Sequence, residues 1–148
     1  MKRINEYKKL FEVDNETTLR DLKNTYRDLV KEWHPDKFQD GGQKAEEAEV
    51  KSQKIIDAYH FLVSIAPETK ETNLEAYTIT TTQSSILDFK HKGLLLEISF
   101  SDGTTYEYFG VNKNVFSKFL NSDKQFRFAK RSIFNSYLYR KSKADNLV

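Results

Sequence analysis

The sequence of 148 residues contains no cysteine, only two prolines and only five glycines. The absence of cysteine excludes disulfide frameworks, thiol nucleophiles and cysteine-ligated zinc. The scarcity of glycine excludes a glycine-rich phosphate loop and a flexible low-complexity tract. Apolar runs such as Leu94–Leu96 are far shorter than the roughly 18 residues of a membrane span. No hydrophobic signal core follows the first residues, so we expect a soluble, cytoplasmic protein with no membrane partner.

The charge balance and the spacing of apolar residues change near the middle of the sequence. Residues 1–70 hold 13 basic and 14 acidic side chains, whereas residues 71–148 hold 11 basic and 8 acidic ones. Apolar residues recur at helical spacing up to Ile65, and the second half is rich in Thr, Ile, Phe and Tyr, which favour strands. We therefore predict a two-domain α+β protein with an all-α domain over 1–66, a polar linker over 67–76, a small antiparallel sheet domain with one or two C-terminal helices over 77–143, and a tail over 144–148.

The all-α half is predicted to be a helical hairpin with short flanking helices. A short helix is expected near Glu6–Phe11, a second from Thr17 or Thr18 as N-cap to Trp33, and a third over Gln43–Ile65. On the second helix, apolar, basic and acidic residues fall on three separate faces. This pattern is typical of a solvated helix with i,i+4 ion pairs, but a segregated basic stripe also suits an acidic partner.

The second helix is followed by His34-Pro35-Asp36. Pro35 disfavours helical geometry in His34 and so ends the helix. Asp36 then lies in the interhelical loop, where its carboxylate could accept a bidentate arginine. A plain helix stop followed by a turn would explain the same three residues, so the tripeptide alone is weak evidence.

The wider arrangement resembles the J-domain family over residues 4–66. It rests on Tyr7 with Leu10-Phe11 and Val13, on Tyr26-Arg27, Leu29 and Trp33, on His34-Pro35-Asp36-Lys37, and on Ile55-Ile56-Asp57-Ala58-Tyr59. The resemblance implies a four-helix module that docks on a DnaK-type chaperone through a basic second helix and stimulates its ATPase. By position, the implied chaperone-binding residues are Lys23, Tyr26, Arg27, Lys31, His34, Pro35, Asp36 and Lys37.

The sequence departs from the family pattern in several places. Asn24 and Asp28 stand where many members are basic, which weakens the expected attraction to the chaperone. Ser52 stands where a Phe is common, so the small core of this half has one large apolar side chain fewer. The basic motif of the fourth helix is replaced by residues 67–70.

The second half is predicted to begin with strands. They are expected over Tyr77–Thr82, Ser85–Phe89, Leu94–Phe100 and Thr104–Phe109, followed by helices over Lys113–Asn121 and near Phe128–Tyr139. These features resemble the KTSC domain over roughly 77–141. The resemblance rests on Ser84-Ser85-Ile86, on Leu96, Ile98, Phe100 and Gly103, on Tyr106, Tyr108 and Val111, and on Phe116, Phe119, Ile133 and Tyr137.

Aromatic and basic residues alternate near the C-terminus. The cations could neutralise RNA phosphates and the aromatics could stack on bases, although the aromatics could equally form the core of a small domain. An acidic protein surface would suit the same cations. The candidate nucleic-acid-binding residues are Lys124, Arg127, Lys130, Arg131, Arg140 and Lys141.

No arrangement of nucleophile, base and orienting residue can be placed, and no metal cluster is visible. We therefore expect a protein that is not an enzyme and that holds no cofactor or metal. The leading hypothesis is a J-domain co-chaperone with a KTSC-like module for localisation or substrate contact. The alternative is an RNA-binding protein in which the J-domain recruits a chaperone or is vestigial. The oligomeric state stays open.

Overall fold

The computed structural model describes residues 2–38 and 41–142, so the predicted tail lies outside the described residues. No helix in these two ranges is long and apolar enough to cross a bilayer. The elements, in chain order, are α1 (Lys2–Leu10), α2 (Leu19–Trp33), a 3-10 helix (Pro35–Phe38), α3 (Gly42–Ile65), α4 (Pro67–Gln83), β1 (Ile86–Lys92), β2 (Leu95–Phe100), β3 (Thr105–Phe109), α5 (Lys113–Leu120), α6 (Gln125–Ser132) and β4 (Leu138–Lys141). The predicted α+β, two-domain fold is confirmed, and the chain divides into compact units at Thr69 and Lys70.

The first unit is built on the antiparallel pair α2 and α3. Thr18 is the N-cap of α2, as predicted: its hydroxyl accepts the amide hydrogen of Asp21 at 3.1 Å, and its own amide donates to the Asp21 carboxylate at 3.0 Å. Tyr26 of α2 stacks on Tyr59 of α3, with ring centroids 4.2 Å apart and planes 11° apart. The buried apolar residues of this unit are Ile4, Phe11, Leu22, Ala48, Ile55, Ala58, Phe61, Leu62 and Ala66.

The second unit contains a four-stranded antiparallel sheet in the order β1-β2-β3-β4. Alternate residues of the central strands point to one face, which is the period of a half-buried strand. That face packs against Tyr77 of α4, Phe119 of α5 and Ala129 of α6. Gly103, with φ of 90°, closes the tight β2–β3 turn, as predicted. The core strand residues are Leu96, Ile98, Phe100, Tyr106 and Tyr108.

The strand predicted over Tyr77–Thr82 is wrong, because this segment lies in α4. Residues 67–76, predicted as a linker, are the first part of the same helix. Burial of Tyr77, Thr80 and Thr81, at positions i, i+3 and i+4, gives the helix one packed face. The threonine hydroxyls bond back to helix carbonyls, for example Thr81 to Tyr77 at 2.9 Å, so β-branched residues are tolerated here.

The helix predicted near Phe128–Tyr139 is also wrong in its second half. Helix α6 ends at Ser132, and Leu138–Lys141 forms β4 along the edge of β3. Tyr139 pairs with Tyr108, which is distant in sequence. Nothing in the local sequence indicates this pairing with β3, and the spacing of the apolar residues was wrongly interpreted as helical.

Helix α4 is tied to the β2–β3 turn through Asp102. The Asp102 carboxylate accepts the Thr80 hydroxyl at 2.5 Å, the Thr104 hydroxyl at 2.6 Å and the Thr104 amide at 3.0 Å. Partial burial raises the pKa of Asp102, but these hydrogen bonds outweigh it and hold the pKa below its unfolded value of 3.8. The ionised form of Asp102 therefore stabilises the fold.

We expect Asp102→Ala to lower the free energy of unfolding by about 1–2 kcal/mol at neutral pH, because it removes bonds to a charged group. Since the folded pKa is depressed, this contribution is present above pH 3.8 and is lost as the pH falls through the folded pKa. Urea unfolding of both proteins at neutral pH and at about pH 2.5 measures the difference. The control is Asp123→Ala, which removes an exposed carboxylate. Equal destabilisation by both variants, or a pH-independent difference, contradicts the role of Asp102.

Candidate functional site

The Asp36 carboxylate lies in solvent at the turn between α2 and α3. His34 is the C-cap of α2 and adopts φ of −61° and ψ of 131°, the extended geometry that a following proline favours. Pro35 begins the 3-10 helix, and the amide of Lys37 donates to the carbonyl of His34 at 3.0 Å. The Asp36 side chain is 79% exposed and that of His34 is 48% exposed.

The His34 ring contacts both the main chain and the side chain of Asp36. The Asp36 amide donates to Nδ1 of His34 at 3.2 Å, and the Asp36 Oδ2 atom lies 3.4 Å from the same nitrogen. Nδ1 can accept the amide hydrogen only when it carries no proton, so the neutral ring donates nothing from Nδ1 to the carboxylate. Within the described ranges, no lysine or arginine nitrogen lies within 4 Å of this carboxylate. The carboxylate is therefore accessible to a cation from outside the chain.

The basic side chains of α2 are exposed and lie on one side of the helix. Arg20, Lys23, Arg27 and Lys31, named here the α2 cations, are all exposed, whereas Leu22 on the apolar face is buried. Lys37 is exposed beyond the turn. The α2 cations thus run along α2 from its first turn to its last, and Lys31 and Lys37 are the cations nearest in sequence to Asp36. Tyr26 differs from them, because its ring is half-buried against Tyr59.

Two polar residues, whose roles the sequence did not indicate, hold the ends of α2. The amide of Leu19 donates to the Glu68 carboxylate at 2.8 Å, and the Ser52 hydroxyl donates to the carbonyl of Trp33 at 2.7 Å. Each satisfies a backbone group that a helix end leaves without an intrahelical partner. The partners are 49 and 19 positions apart in the sequence, so no local motif could have identified them.

In the second unit, four exposed cations lie on one side of α6. Lys124 is its N-cap, and Arg127, Lys130 and Arg131 follow at helical spacing. No carboxylate in the described part of the chain lies within 4 Å of them. We name these four residues the α6 cations.

The aromatic residues of the same segment form part of the core. Phe126 packs edge-on against Phe134 with centroids 5.6 Å apart, and Phe128 lies 6.3 Å from Phe119. Tyr137 and Tyr139 are also packed against the core cluster. The interpretation of these rings as core is therefore confirmed over the base-stacking one.

Arg140, predicted to belong to the basic surface, is an internal ion-pair partner. Its Nε atom lies 2.9 Å from Oε2 of Glu107, and the two side chains are only 13% and 11% exposed. Glu107 and Arg140 alternate along their strands with the core residues Tyr108 and Tyr139, so they lie on the sheet face opposite α6. Lys141 is exposed at the end of β4. Arg140 is thus separated from the α6 cations.

Comparison with known families assigns both halves of the chain. Residues 6–71 match the DnaJ domain and residues 83–137 match the KTSC domain. The chain contains a DnaJ domain followed by a KTSC domain. Both resemblances noted in the sequence are confirmed. The KTSC match ends just before β4, and the DnaJ match reaches into the first turn and a half of α4.

Two curated relatives resemble the DnaJ domain. They are both named "Chaperone protein DnaJ", from Thermoplasma acidophilum and from Thermoplasma volcanium, and each is 39% identical over 57 residues. The similar region covers 38% of this chain but only 15% of each relative. The likeness therefore concerns the DnaJ domain and does not extend to the rest of those proteins.

We expect Arg140→Ala to destabilise the KTSC domain by about 3 kcal/mol, because it leaves the buried Glu107 carboxylate without its guanidinium partner. Arg127→Ala, on the exposed side of α6, should change stability by less than about 0.5 kcal/mol. Chemical denaturation followed by tyrosine fluorescence compares the two variants. Pairing Arg140→Ala with Glu107→Gln should recover part of the loss. Equal effects of the two arginine variants would show that the ion pair is not structural.

Proposed function

We propose that this protein is a co-chaperone whose DnaJ domain docks on a DnaK-type chaperone and stimulates its ATPase. The observation that carries the proposal is the Asp36 carboxylate, which is 79% exposed and has no lysine or arginine nitrogen within 4 Å in the described ranges. The match to the DnaJ domain and the name of the two relatives support it. In this proposal ATP is hydrolysed on the chaperone, and the DnaJ domain acts by docking.

The geometry suits an arginine of the partner. The carboxylate lies on a short 3-10 helix, the Asp36 amide donates to the His34 ring, and the Asp36 side chain is 79% exposed to solvent. A guanidinium can bind such a carboxylate through two parallel hydrogen bonds, which adds direction as well as energy. His34 then keeps the turn in place, and Asp36 makes the contact.

The α2 cations supply long-range attraction to an acidic surface. Arg20, Lys23, Arg27 and Lys31 are all exposed, and charges of one sign on one face raise the rate of encounter with an opposite surface. Neutral Asn24 and acidic Asp28 are also exposed on α2, and they lower the net positive charge of the helix. We therefore expect association to depend on salt, because exposed charges are screened beyond about 8 Å at physiological ionic strength.

We expect the wild-type chain to stimulate the ATPase of a DnaK-type chaperone and Asp36→Asn to lose most of this effect. A hydrogen bond to a charged group contributes about 1.5–3 kcal/mol, which corresponds to roughly 10- to 100-fold in apparent affinity. Single-turnover ATP hydrolysis at increasing concentrations of the co-chaperone measures both the half-saturating concentration and the maximal rate.

The matched control is Asp28→Asn, which removes an exposed carboxylate from the same helix hairpin. Because Asp28 opposes the α2 cations, this variant should stimulate at least as well as the wild type. Stimulation by Asp36→Asn equal to that of the wild type, or no stimulation by any variant, contradicts the proposed function.

A second candidate function belongs to the KTSC domain, where we propose that the α6 cations bind RNA phosphates. The supporting observation is that these four side chains are exposed, share one side of α6 and pair with no described carboxylate. The neighbouring rings of Phe126 and Phe128 pack inward, so stacking on bases adds little. Binding through phosphates alone is insensitive to base sequence and strongly salt-dependent.

We expect a labelled RNA duplex to bind the full chain with an affinity that falls steeply with salt. Each contacted phosphate contributes roughly −0.7 to −0.9 to the slope of log K against log salt, the values for single strands and for B-form DNA, so Arg127→Gln should make the slope less steep by about 1. Fluorescence anisotropy at several salt concentrations measures it.

Lys92→Gln, which removes an exposed cation of β1, serves as the control and should leave the slope unchanged. Equal slopes for wild type and Arg127→Gln contradict this second function. Binding of labelled polyglutamate with no binding of RNA would assign the α6 cations to an acidic protein instead.

A further inference from the structure

The last residue of α2, Trp33, is held by α3 through its main chain. A helix leaves its final carbonyls without intrahelical partners, and Trp33 carries one of these groups. The Ser52 hydroxyl of α3 donates to this carbonyl at 2.7 Å, in a partly buried position. The end of α2 is therefore fixed to the middle of α3 immediately before the chain enters the turn.

The indole ring of Trp33 is held as well. Phe38, at the end of the 3-10 helix, stacks on it with centroids 6.3 Å apart and planes 17° apart. The Nζ atom of Lys51 lies 5.7 Å from the ring centroid, within the range of a cation–π contact. Trp33 thus joins α2, α3 and the 3-10 helix that carries Asp36.

Few bonds separate the Ser52 contact from the Asp36 carboxylate. His34 follows Trp33 directly, its carbonyl accepts the Lys37 amide at 3.0 Å, and its ring accepts the Asp36 amide at 3.2 Å. Each bond removes freedom from the main chain of the turn. The position of the turn that carries Asp36 therefore depends on how the last residue of α2 is held, and the Ser52 bond is one of the contacts that hold it.

The Ser52 hydroxyl is not needed to hold the hairpin together. Tyr26 stacks on Tyr59, and Leu22, Ala48, Ile55 and Ala58 are buried in the same unit without it. Its bond lies at the end of the hairpin next to the turn, and it satisfies a main-chain group of α2. Loss of this bond should loosen the turn while the rest of the hairpin stays folded.

We infer that Ser52 is a positioning residue for chaperone docking, which holds the turn so that the Asp36 carboxylate is presented in one orientation. This inference rests on the proposed function of the DnaJ domain. The residue that thins the apolar core of the hairpin would then have a polar role at the docking turn. Ser52 acts through Trp33 and does not touch the chaperone.

The test compares Ser52→Ala with Ser64→Ala. Ser64 is a matched control, because it lies on the same helix, is partly buried and donates to a main-chain carbonyl, that of Phe61 at 2.5 Å within α3. We expect Ser52→Ala to raise the half-saturating concentration for ATPase stimulation by about 2- to 10-fold, the value of one hydrogen bond. Ser64→Ala should leave it unchanged although both variants lower the melting temperature, and Ser52→Thr, which keeps a hydroxyl, should restore it.

An NMR comparison of the free proteins separates the inference from the proposed function. Ser52→Ala should shift the amide resonances of His34 and Asp36 and speed their hydrogen exchange, and Ser64→Ala should not. Unchanged resonances in Ser52→Ala, or an equal change in stimulation for the two alanine variants, overturns the inference. A wild type that never stimulates contradicts the proposed function, and the NMR comparison then still decides whether Ser52 fixes the turn.

Discussion

The end of α2 at His34-Pro35 is the constraint on which the candidate site depends. A proline forces the preceding residue out of helical geometry, and His34 adopts the extended conformation that this requires. The chain then turns through a 3-10 helix and returns as α3, so that Asp36 lies at the tip of the hairpin, in solvent. If α2 continued by one more turn, the same carboxylate would lie on the side of the helix and not at the tip of the hairpin.

Polar groups from other helices complete both ends of α2. Glu68 accepts a hydrogen bond from the Leu19 amide at the first turn, where a negative charge also interacts favourably with the helix dipole. Ser52 donates to the Trp33 carbonyl at the last turn. The helix that carries the candidate docking surface is therefore fixed at its ends by tertiary hydrogen bonds and along its length by apolar packing. The helix is therefore held at both ends while the α2 cations stay exposed to solvent.

The KTSC domain separates its cations into two groups with different roles. Arg140 is half-buried beside Glu107 and compensates a carboxylate that would otherwise be costly to bury. The α6 cations have no such partner within the described ranges and face solvent. Counting basic residues along the sequence treats the two groups alike, and only the pairing of β3 with β4 distinguishes them.

Local sequence determined the features that depend on neighbouring residues. The N-cap at Thr18, the three faces of α2, the end of that helix at His34 and the alternation of Leu96, Ile98 and Phe100 all follow from spacing and from the chemistry of single residues. The two family resemblances rested on the same short-range patterns. For this reason the exposure of Asp36 and of the α2 cations could be anticipated.

Tertiary structure decided the features in which distant residues meet. The threonine-rich segment of α4 has strand propensity, yet it is a helix whose Tyr77 and Thr80 are buried and whose Thr80 hydroxyl donates to Asp102. Strand β4 exists because an edge of β3 is available to it, and Arg140 is internal because Glu107 lies opposite. In the sequence, Ser52 is a small polar residue in place of an aromatic one, and only the fold shows that its hydroxyl donates to the Trp33 carbonyl. In each case the deciding contact joins residues far apart in the chain, and a pattern that reads only neighbours cannot contain it.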